Sequence, residues 1–239
     1  MTKKHVFPVL FSLLLGSLLF AQDAVTLAWK PTVGMVNKYK VEVNSTMDMG
    51  DGQPHKVVVN FNITEKILKI RDDGNIEVEA TQGEMGIVID GQDLGQGMPS
   101  QTSVTVMKPN GETLERKTEN APGMDNPRLE ESFTFIYPDK PLRIGDTWTR
   151  KVKADAKKGT VDAEATYKYE GTETVNGQTL WKVSYQFKET GGDMPFTVSG
   201  VVWLSSKDGT LFKGEYTMKN VEFQPGVRAD ATAKVTKVG

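Results

Sequence analysis

"YKVEVNSTMDM", residues 39–49, alternates between two kinds of side chain. The odd positions are mostly apolar, and they are Tyr39, Val41, Val43, Ser45, Met47 and Met49. The even positions between them are polar. Successive side chains of a β-strand point to opposite faces, so this period of two predicts a half-buried strand.

The same alternation recurs along the chain and predicts the fold class. It appears in VVVNFNI (57–63), NIEVEA (75–80), MGIVI (85–89), FTFIY (133–137), VDAEATYKY (161–169), WKVSYQF (181–187) and VRADATAKV (227–235). Asx-Gly turn signals lie between such runs, in RDDGN, KPNGE, VNGQ and SKDGT. Asn-Gly and Asp-Gly between alternating segments are strong hairpin signals. We predict an all-β protein of about a dozen mainly antiparallel strands, as a curled sheet or half-barrel or as a two-layer sandwich.

One segment departs from the strand pattern. In MDNPRLEESF, Asn126 suits a helix N-cap and Pro127 suits the first helical position. We predict one short helix near 127–132, within a connection that covers 118–132.

The two sides of this connection resemble each other. KPTVGMVNKYKVEV begins at Lys30 and KPLRIGDTWTRKVKA at Lys140, and each places Lys-Pro and a glycine before an aromatic residue and a strand. The pattern suggests two pseudo-repeats, 25–120 and 133–239. The alternative is that unrelated hairpins share turn residues for chemical reasons.

The start of the chain has the pattern of a secretory signal peptide. Lys3 and Lys4 precede an apolar run, and Ala21 precedes polar residues. We predict a signal peptide at 1–21 and a single β-rich domain at 22–239. The protein is then exported to the periplasm or the extracellular space, with no transmembrane segment after cleavage.

Composition excludes several classes of function. The net charge of −2 becomes −4 once Lys3 and Lys4 are removed, which disfavours nucleic-acid binding. The chain has no cysteine. It therefore has no disulfide, no thiol nucleophile and no site for the lipid anchor of a bacterial lipoprotein.

Signatures of catalysis are missing from the sequence. It contains no G-x-S-x-G, S-x-x-K, phosphate-binding loop or dinucleotide-binding motif. After signal removal the one histidine is His55, which we interpret as a solvated turn residue. We predict that the protein is not an enzyme and has no metal or cofactor.

The segment PDKPLRIGDTW, residues 138–148, resembles a P-x-x-P-[VL]-x-[VI]-G-D-[ST]-W segment of uncharacterised exported bacterial β-rich domains. The resemblance implies an extended strand pair after the segment and no catalytic residues. From the residues, we interpret it as a stiff crossover that ends in Trp148 and begins the second half of the sheet. The layout is also similar to periplasmic half-barrels that carry lipoproteins or lipids, which implies a curled antiparallel sheet with short helices.

Few residues suggest a binding site. Trp148 could stack on a ligand instead of packing in the core. Leu94 and Met98, in a glycine-rich loop, could form an adaptable apolar contact or simply a flexible hairpin tip. We predict a noncatalytic exported protein that binds an apolar or amphipathic ligand or partner, a lipid or an envelope protein. The alternatives are a structural or interaction module of the cell envelope without a small ligand, and an enzyme of unrecognised type.

Overall fold

A computed structural model of the chain describes residues 24–119, 126–157, 159–224 and 226–238. For residues 96–98 and 224 the description covers the backbone but not the side chains. The predicted signal peptide, the middle of the predicted connection (120–125) and the side chain of Met98 therefore lie outside the described residues.

Strands dominate the described part of the chain. The first half contains β1 (Val36–Asp48), β2 (Pro54–Ile70), β3 (Ile76–Gln82), β4 (Met85–Ile89), β5 (Gln92–Met98), β6 (Gln101–Met107) and β7 (Thr113–Glu119). The second half contains α1 (Pro127–Phe133), β8 (Thr147–Val152), β9 (Ala163–Val175), β10 (Gln178–Glu189), β11 (Thr197–Ser205), β12 (Leu211–Gln224) and β13 (Val227–Lys237).

All thirteen strands belong to one antiparallel sheet that does not close. Its order is β7-β6-β3-β2-β1-β13-β12-β11-β10-β9-β8, and the β4–β5 hairpin pairs with β2 beside β3. The prediction of an all-β fold with one short helix is confirmed, in the form of a single open sheet. The first and last strands pair at its centre, so each half of the chain occupies one side of the sheet.

The Asx-Gly signals lie at hairpin turns, as predicted. They connect β2 to β3, β6 to β7, β9 to β10 and β11 to β12. In the β9–β10 turn, Asn176 (φ 50°) and Gly177 (φ 76°) both have positive φ. Two such residues form the turn whose twist matches paired antiparallel strands.

The sheet has one packed face and one solvent face. On the packed face, alternate residues of β9 to β13 form the main core, and α1 and the segments 24–30 and 133–142 lie over them. A smaller cluster of Ile67, Ile76 and Val78 forms the core of the first half. The second half is therefore covered by the chain itself to a greater extent than the first.

Helix α1 begins as the sequence predicts. The side chain of Asn126 accepts a hydrogen bond from Leu129 N at 3.0 Å, and Pro127 is the first helical residue. Asn126 also donates to Glu222 O at 2.7 Å, which fixes the start of the helix against β12.

The strand predicted at 133–137 is wrong. Phe133 is the last residue of α1, and residues 134–138 form no strand. Phe135 and Tyr137 instead point onto the packed face, where the Tyr137 hydroxyl donates to Gly209 O at 2.6 Å. The alternation is real, but it belongs to an extended segment that lies on the sheet, because Pro138 follows directly and cannot donate to a strand neighbour.

The predicted crossover into the second half is present. Leu142 forms a two-hydrogen-bond bridge with Val25, each bond 2.8 Å long. Gly145 then turns the chain with φ 92°, a conformation that favours glycine, and β8 follows at the edge of the sheet.

The entries to the two halves share one hydrogen-bond pattern. Each turn glycine donates its N–H to a carbonyl of the following long strand, Gly34 to Ile67 at 2.9 Å and Gly145 to Tyr169 at 2.8 Å. That same residue donates its own N–H back to the residue after the glycine, at 2.9 Å in both halves. Immediately afterwards, both long strands skip one residue in their pairing. The internal duplication remains a prediction, which these repeated details support.

Leu27 lies at the start of the described chain and is almost fully buried in the main core. We expect Leu27→Ala to lower the free energy of unfolding by about 2–3 kcal/mol. Urea unfolding would measure the change, and a loss below about 0.5 kcal/mol would show that segment 24–30 is not part of the folded core.

Candidate functional site

One row of side chains crosses the packed face from edge to edge. Strand register places its members side by side, in the order Trp148, Tyr167, Tyr185, Gly200, Tyr216, Ala233, Val43, Val59 and Ile87. We call this the central row. Its β8 end is aromatic and its β4 end is aliphatic.

The aromatic end of the central row is covered by the chain. Trp148 stacks on Tyr167 with ring centroids 5.1 Å apart, and Phe135 packs edge-on against both. The Trp148 indole N–H donates to Ile136 O at 2.7 Å, and the Tyr167 hydroxyl donates to Thr134 O at 2.9 Å. Trp148 thus occupies the position of a structural anchor that ties the extended segment to the sheet.

The aliphatic end of the central row is less covered. Val43, Val59 and Ile87 are only partly buried, although they lie on the same face as the core. Leu94 of β5 follows Asp93, which pairs with Val88, and it stands beside Ile87 where the β4–β5 pairing shifts register so that Leu94 and Gly95 oppose one residue. Leu94 is 61% exposed.

The partly exposed apolar residues at this end of the central row lie next to one another on the packed face. We define the apolar strip as Val43, Val59, Phe61, Ile87 and Leu94. Next to its inner end, Phe133 contacts Tyr216 edge-on at 5.0 Å and is 37% exposed. The strip therefore extends from a covered aromatic cluster to an open hairpin. The structure brings Leu94 to this strip and places Trp148 at the opposite end of the central row.

Three ion pairs attach α1, and therefore Phe133, to the sheet, and one of them joins Glu130 to Arg116 of β7 at 2.5 Å. Arg128 binds Glu189 through two hydrogen bonds of 2.7 and 2.5 Å, and Glu189 also accepts from Phe196 N at 3.0 Å. Arg150 pairs with Glu131 and donates to the Glu131 carbonyl at 2.8 Å. These contacts hold the helix between β7 on one side and β8 and β10 on the other.

Burial raises the pKa values of the tyrosines on the packed face. It raises the pKa of Tyr167 to about 12, and it raises the pKa values of Tyr185 and Tyr216 above their usual range as well. The tyrosine hydroxyls of the central row therefore stay neutral in mildly alkaline solution as well as at neutral pH. Close to the smaller core cluster, burial raises the pKa of the Glu65 carboxyl, while Tyr39 and Lys237 oppose that rise.

The solvent face has a different character. Two shallow depressions on it are lined mainly by polar side chains, among them Asn44, Thr217 and Thr232. Neither depression is lined by a row of apolar side chains like the apolar strip.

Groups that could serve metal or acid–base chemistry are scattered. Among the described residues, no three His, Asp or Glu side chains converge as metal ligands would. His55 is partly exposed, but it lies at the start of β2 and its ring has two carboxylate partners. Its Nδ1 lies 2.7 Å from Asp90 and its Nε2 lies 2.9 Å from Asp51. Because the carboxylates lie at opposite ring nitrogens, they cannot bind one ion together with the imidazole.

Comparison with protein families gives one match. Residues 129–202 match a family of unknown function, DUF6263. The matched region includes the Pro138–Trp148 segment and covers under a third of the 239 residues. The chain thus resembles an uncharacterised family, as its sequence suggested. No curated protein matches the chain.

Similar solved structures show low identity. A Bacteroides fragilis protein, provisionally described as exported and with a YmcC-like fold, is 13% identical with a TM-score of 0.33, over 90% of this chain and all of that one. DynF from the dynemicin biosynthesis pathway of Micromonospora chersina is 7% identical with a TM-score of 0.25, over 89% of this chain and 85% of that one. Within the described residues, no helix has the length and apolar character that crossing a bilayer requires.

Sequence reasoning missed most of the apolar strip. Val43, Val59, Phe61 and Ile87 carry the same alternation as fully covered core residues, so their partial exposure has no signal in the sequence. The alternation places Phe133 in a strand, whereas its position beside Tyr216 depends on where α1 ends.

Proposed function

We propose that the protein is a noncatalytic exported protein that holds an apolar or amphipathic ligand or partner, such as a lipid, along the apolar strip. One observation supports this proposal above the others. The central row is covered by the chain's own aromatic residues at one end, yet it continues as partly exposed aliphatic residues that end at Leu94. Contiguous exposed apolar surface at the edge of a core is typical of interaction sites.

A second candidate is a structural or interaction module of the cell envelope that binds no small ligand. The packing of the second half favours it, since α1 and residues 133–142 already fill that part of the packed face. In this case the strip would contact another protein. An enzyme of unrecognised type has less support, because the titratable groups are scattered over both faces of the sheet.

Binding of a hydrophobic dye separates these candidates. We expect the folded protein to bind anilinonaphthalene sulfonate, and we expect Leu94→Asp to weaken that binding by roughly tenfold, which corresponds to about 1.4 kcal/mol of lost apolar contact. Fluorescence titration would give the dissociation constants. Val33→Asp is the matched control, because Val33 is 62% exposed in the turn before β1 and lies outside the strip.

Native mass spectrometry of the protein from its own source completes the test. A bound lipid-sized mass that Leu94→Asp abolishes and Val33→Asp retains would support a carrier. A clean unliganded monomer, together with no dye binding by the folded wild type, would contradict the carrier and leave the structural module.

A further inference from the structure

His55 lies between two hairpins of the first half. It is the second residue of β2, just after the loop that joins β1 to β2. Asp51 belongs to that loop, and Asp90 belongs to the turn between β4 and β5. The Asp90 and His55 positions are 35 residues apart, so their contact connects separate parts of the chain.

Both ring nitrogens of His55 face a carboxylate, Asp90 at 2.7 Å and Asp51 at 2.9 Å. A neutral imidazole has one N–H donor and one acceptor nitrogen, whereas the imidazolium has two donors. Only the protonated ring can therefore donate to both ionised carboxylates at once. We propose that protonated His55 is a pH-sensitive latch that ties the β1–β2 loop to the β4–β5 turn.

The two carboxylates are not held equally. Asp90 also accepts a hydrogen bond from Lys56 N at 2.9 Å, and its own N–H donates to Lys56 O at 2.9 Å. These bonds keep Asp90 at the edge of β2 whatever the charge of His55. Asp51 accepts a hydrogen bond from Gln53 N at 3.0 Å, which lies within the same loop. The contact that joins Asp51 to β2 is the one with His55. Deprotonation of His55 releases the Asp51 side.

The surrounding charges set the direction of the pH response. The hydrogen bonds to Asp90 and Asp51 raise the pKa of His55 above its ordinary value. Hydrogen bonds lower the pKa of both carboxyls, chiefly from Gln53 for Asp51 and from His55 for Asp90. The other charged side chains next to this group in the chain are Asp48, which caps the loop amides of Gly50 and Gly52, and Lys56.

The latch therefore has a defined pH window. Its contribution is complete below the ordinary pKa of histidine, about 6.5, and is lost as the pH rises through the higher pKa of folded His55. On the acidic side, it is lost as the pH falls through the lowered pKa values of the two aspartates. Opening above the His55 pKa frees the loop at the end of the sheet that carries β4, β5 and Leu94. The inference does not depend on the proposed ligand.

Nuclear magnetic resonance tests the latch directly. Titration of the His55 ring protons is expected to give a pKa above about 6.5, with His55→Gln used to separate them from those of His5, the other histidine. Asp51→Asn is expected to lower that pKa. Asp93→Asn, which removes a carboxylate from the same hairpin but one that bonds Gly95 N, is expected to leave it unchanged.

Amide exchange provides a second readout. Protection factors, which correct for the intrinsic pH dependence of exchange, should fall for loop residues 50–53 as the pH crosses the His55 pKa, and should be independent of pH in His55→Gln. A His55 pKa at or below its ordinary value in the folded protein would overturn the latch. Loop protection that stays constant across the titration of His55 would overturn it as well.

Discussion

Glu189→Ala is expected to lower the free energy of unfolding by about 3–5 kcal/mol, the range for removing one partner of a buried ion pair. Glu189 is 2% exposed at the end of β10. Its removal leaves Arg128 without its two charge-assisted bonds and leaves the buried N–H of Phe196 without an acceptor. It also removes the ion pair that joins α1 to β10, while the pairs with Arg150 and Arg116 remain.

Urea unfolding followed by tryptophan fluorescence would measure this effect. Glu189→Gln retains an acceptor for Phe196 N and is expected to cost less than the alanine variant. The matched surface control is Lys219→Ala, which breaks the exposed 2.6 Å pair with Asp230 and should cost less than about 1 kcal/mol. Equal losses for Glu189→Ala and Lys219→Ala would contradict the role of Glu189 as the anchor of α1.

Glu189 also shows which features of a residue the alternation pattern can predict and which it cannot. It continues the alternation of Trp181, Val183, Tyr185 and Phe187, so its position in the series indicates a side chain on the packed face. A charged residue in phase with core residues is a signal for a buried ion pair. The pattern does not identify Arg128 as the partner, because 61 residues separate the two.

The strands and turns could be predicted because their causes are local. Alternation sets the two faces of a strand, and Asn176-Gly177 sets a turn, within a few residues. The pairing of β1 with β13 at the centre of the sheet depends on residues about 190 positions apart, such as Val43 and Ala233, and no local signal encodes it.

The candidate site is harder to predict for a related reason. Val59 and Val183 occupy the same kind of position in an alternating strand, yet Val183 is fully buried and Val59 is only partly buried. The difference arises from what lies over each strand. Residues 133–142 cover β10. A prediction that places 133–137 in the sheet as a strand leaves no such segment to lie over the sheet. An apolar strip of this kind becomes visible only when the covering segments are placed.

The Asp51–His55–Asp90 contact illustrates a different limit. Asp51 and His55 are four residues apart, a spacing that could be noticed in the sequence, but a turn histidine beside an aspartate is common in solvated loops. The contact with Asp90 depends on the pairing of β2 with β4, which brings the two turns together. The spacing of Asp51 and His55 is visible in the sequence, whereas the contact of His55 with Asp90 follows from the register of the sheet.

Trp148→Ala is expected to lower the free energy of unfolding by about 3–5 kcal/mol, the range for truncating a large packed aromatic side chain. The substitution removes the stacking on Tyr167, the edge contact with Phe135 and the hydrogen bond to Ile136 O. Trp148→Phe is the control that retains much of the ring contact and loses the hydrogen bond, with an expected cost of about 1 kcal/mol for that bond.

Because Trp148 stands at the far end of the central row from Leu94, neither variant should weaken dye binding by the folded protein. Chemical unfolding and dye titration on the same samples would distinguish the two roles. A loss of stability below about 1 kcal/mol, together with weakened dye binding, would contradict the structural role of Trp148 and assign it to the ligand site.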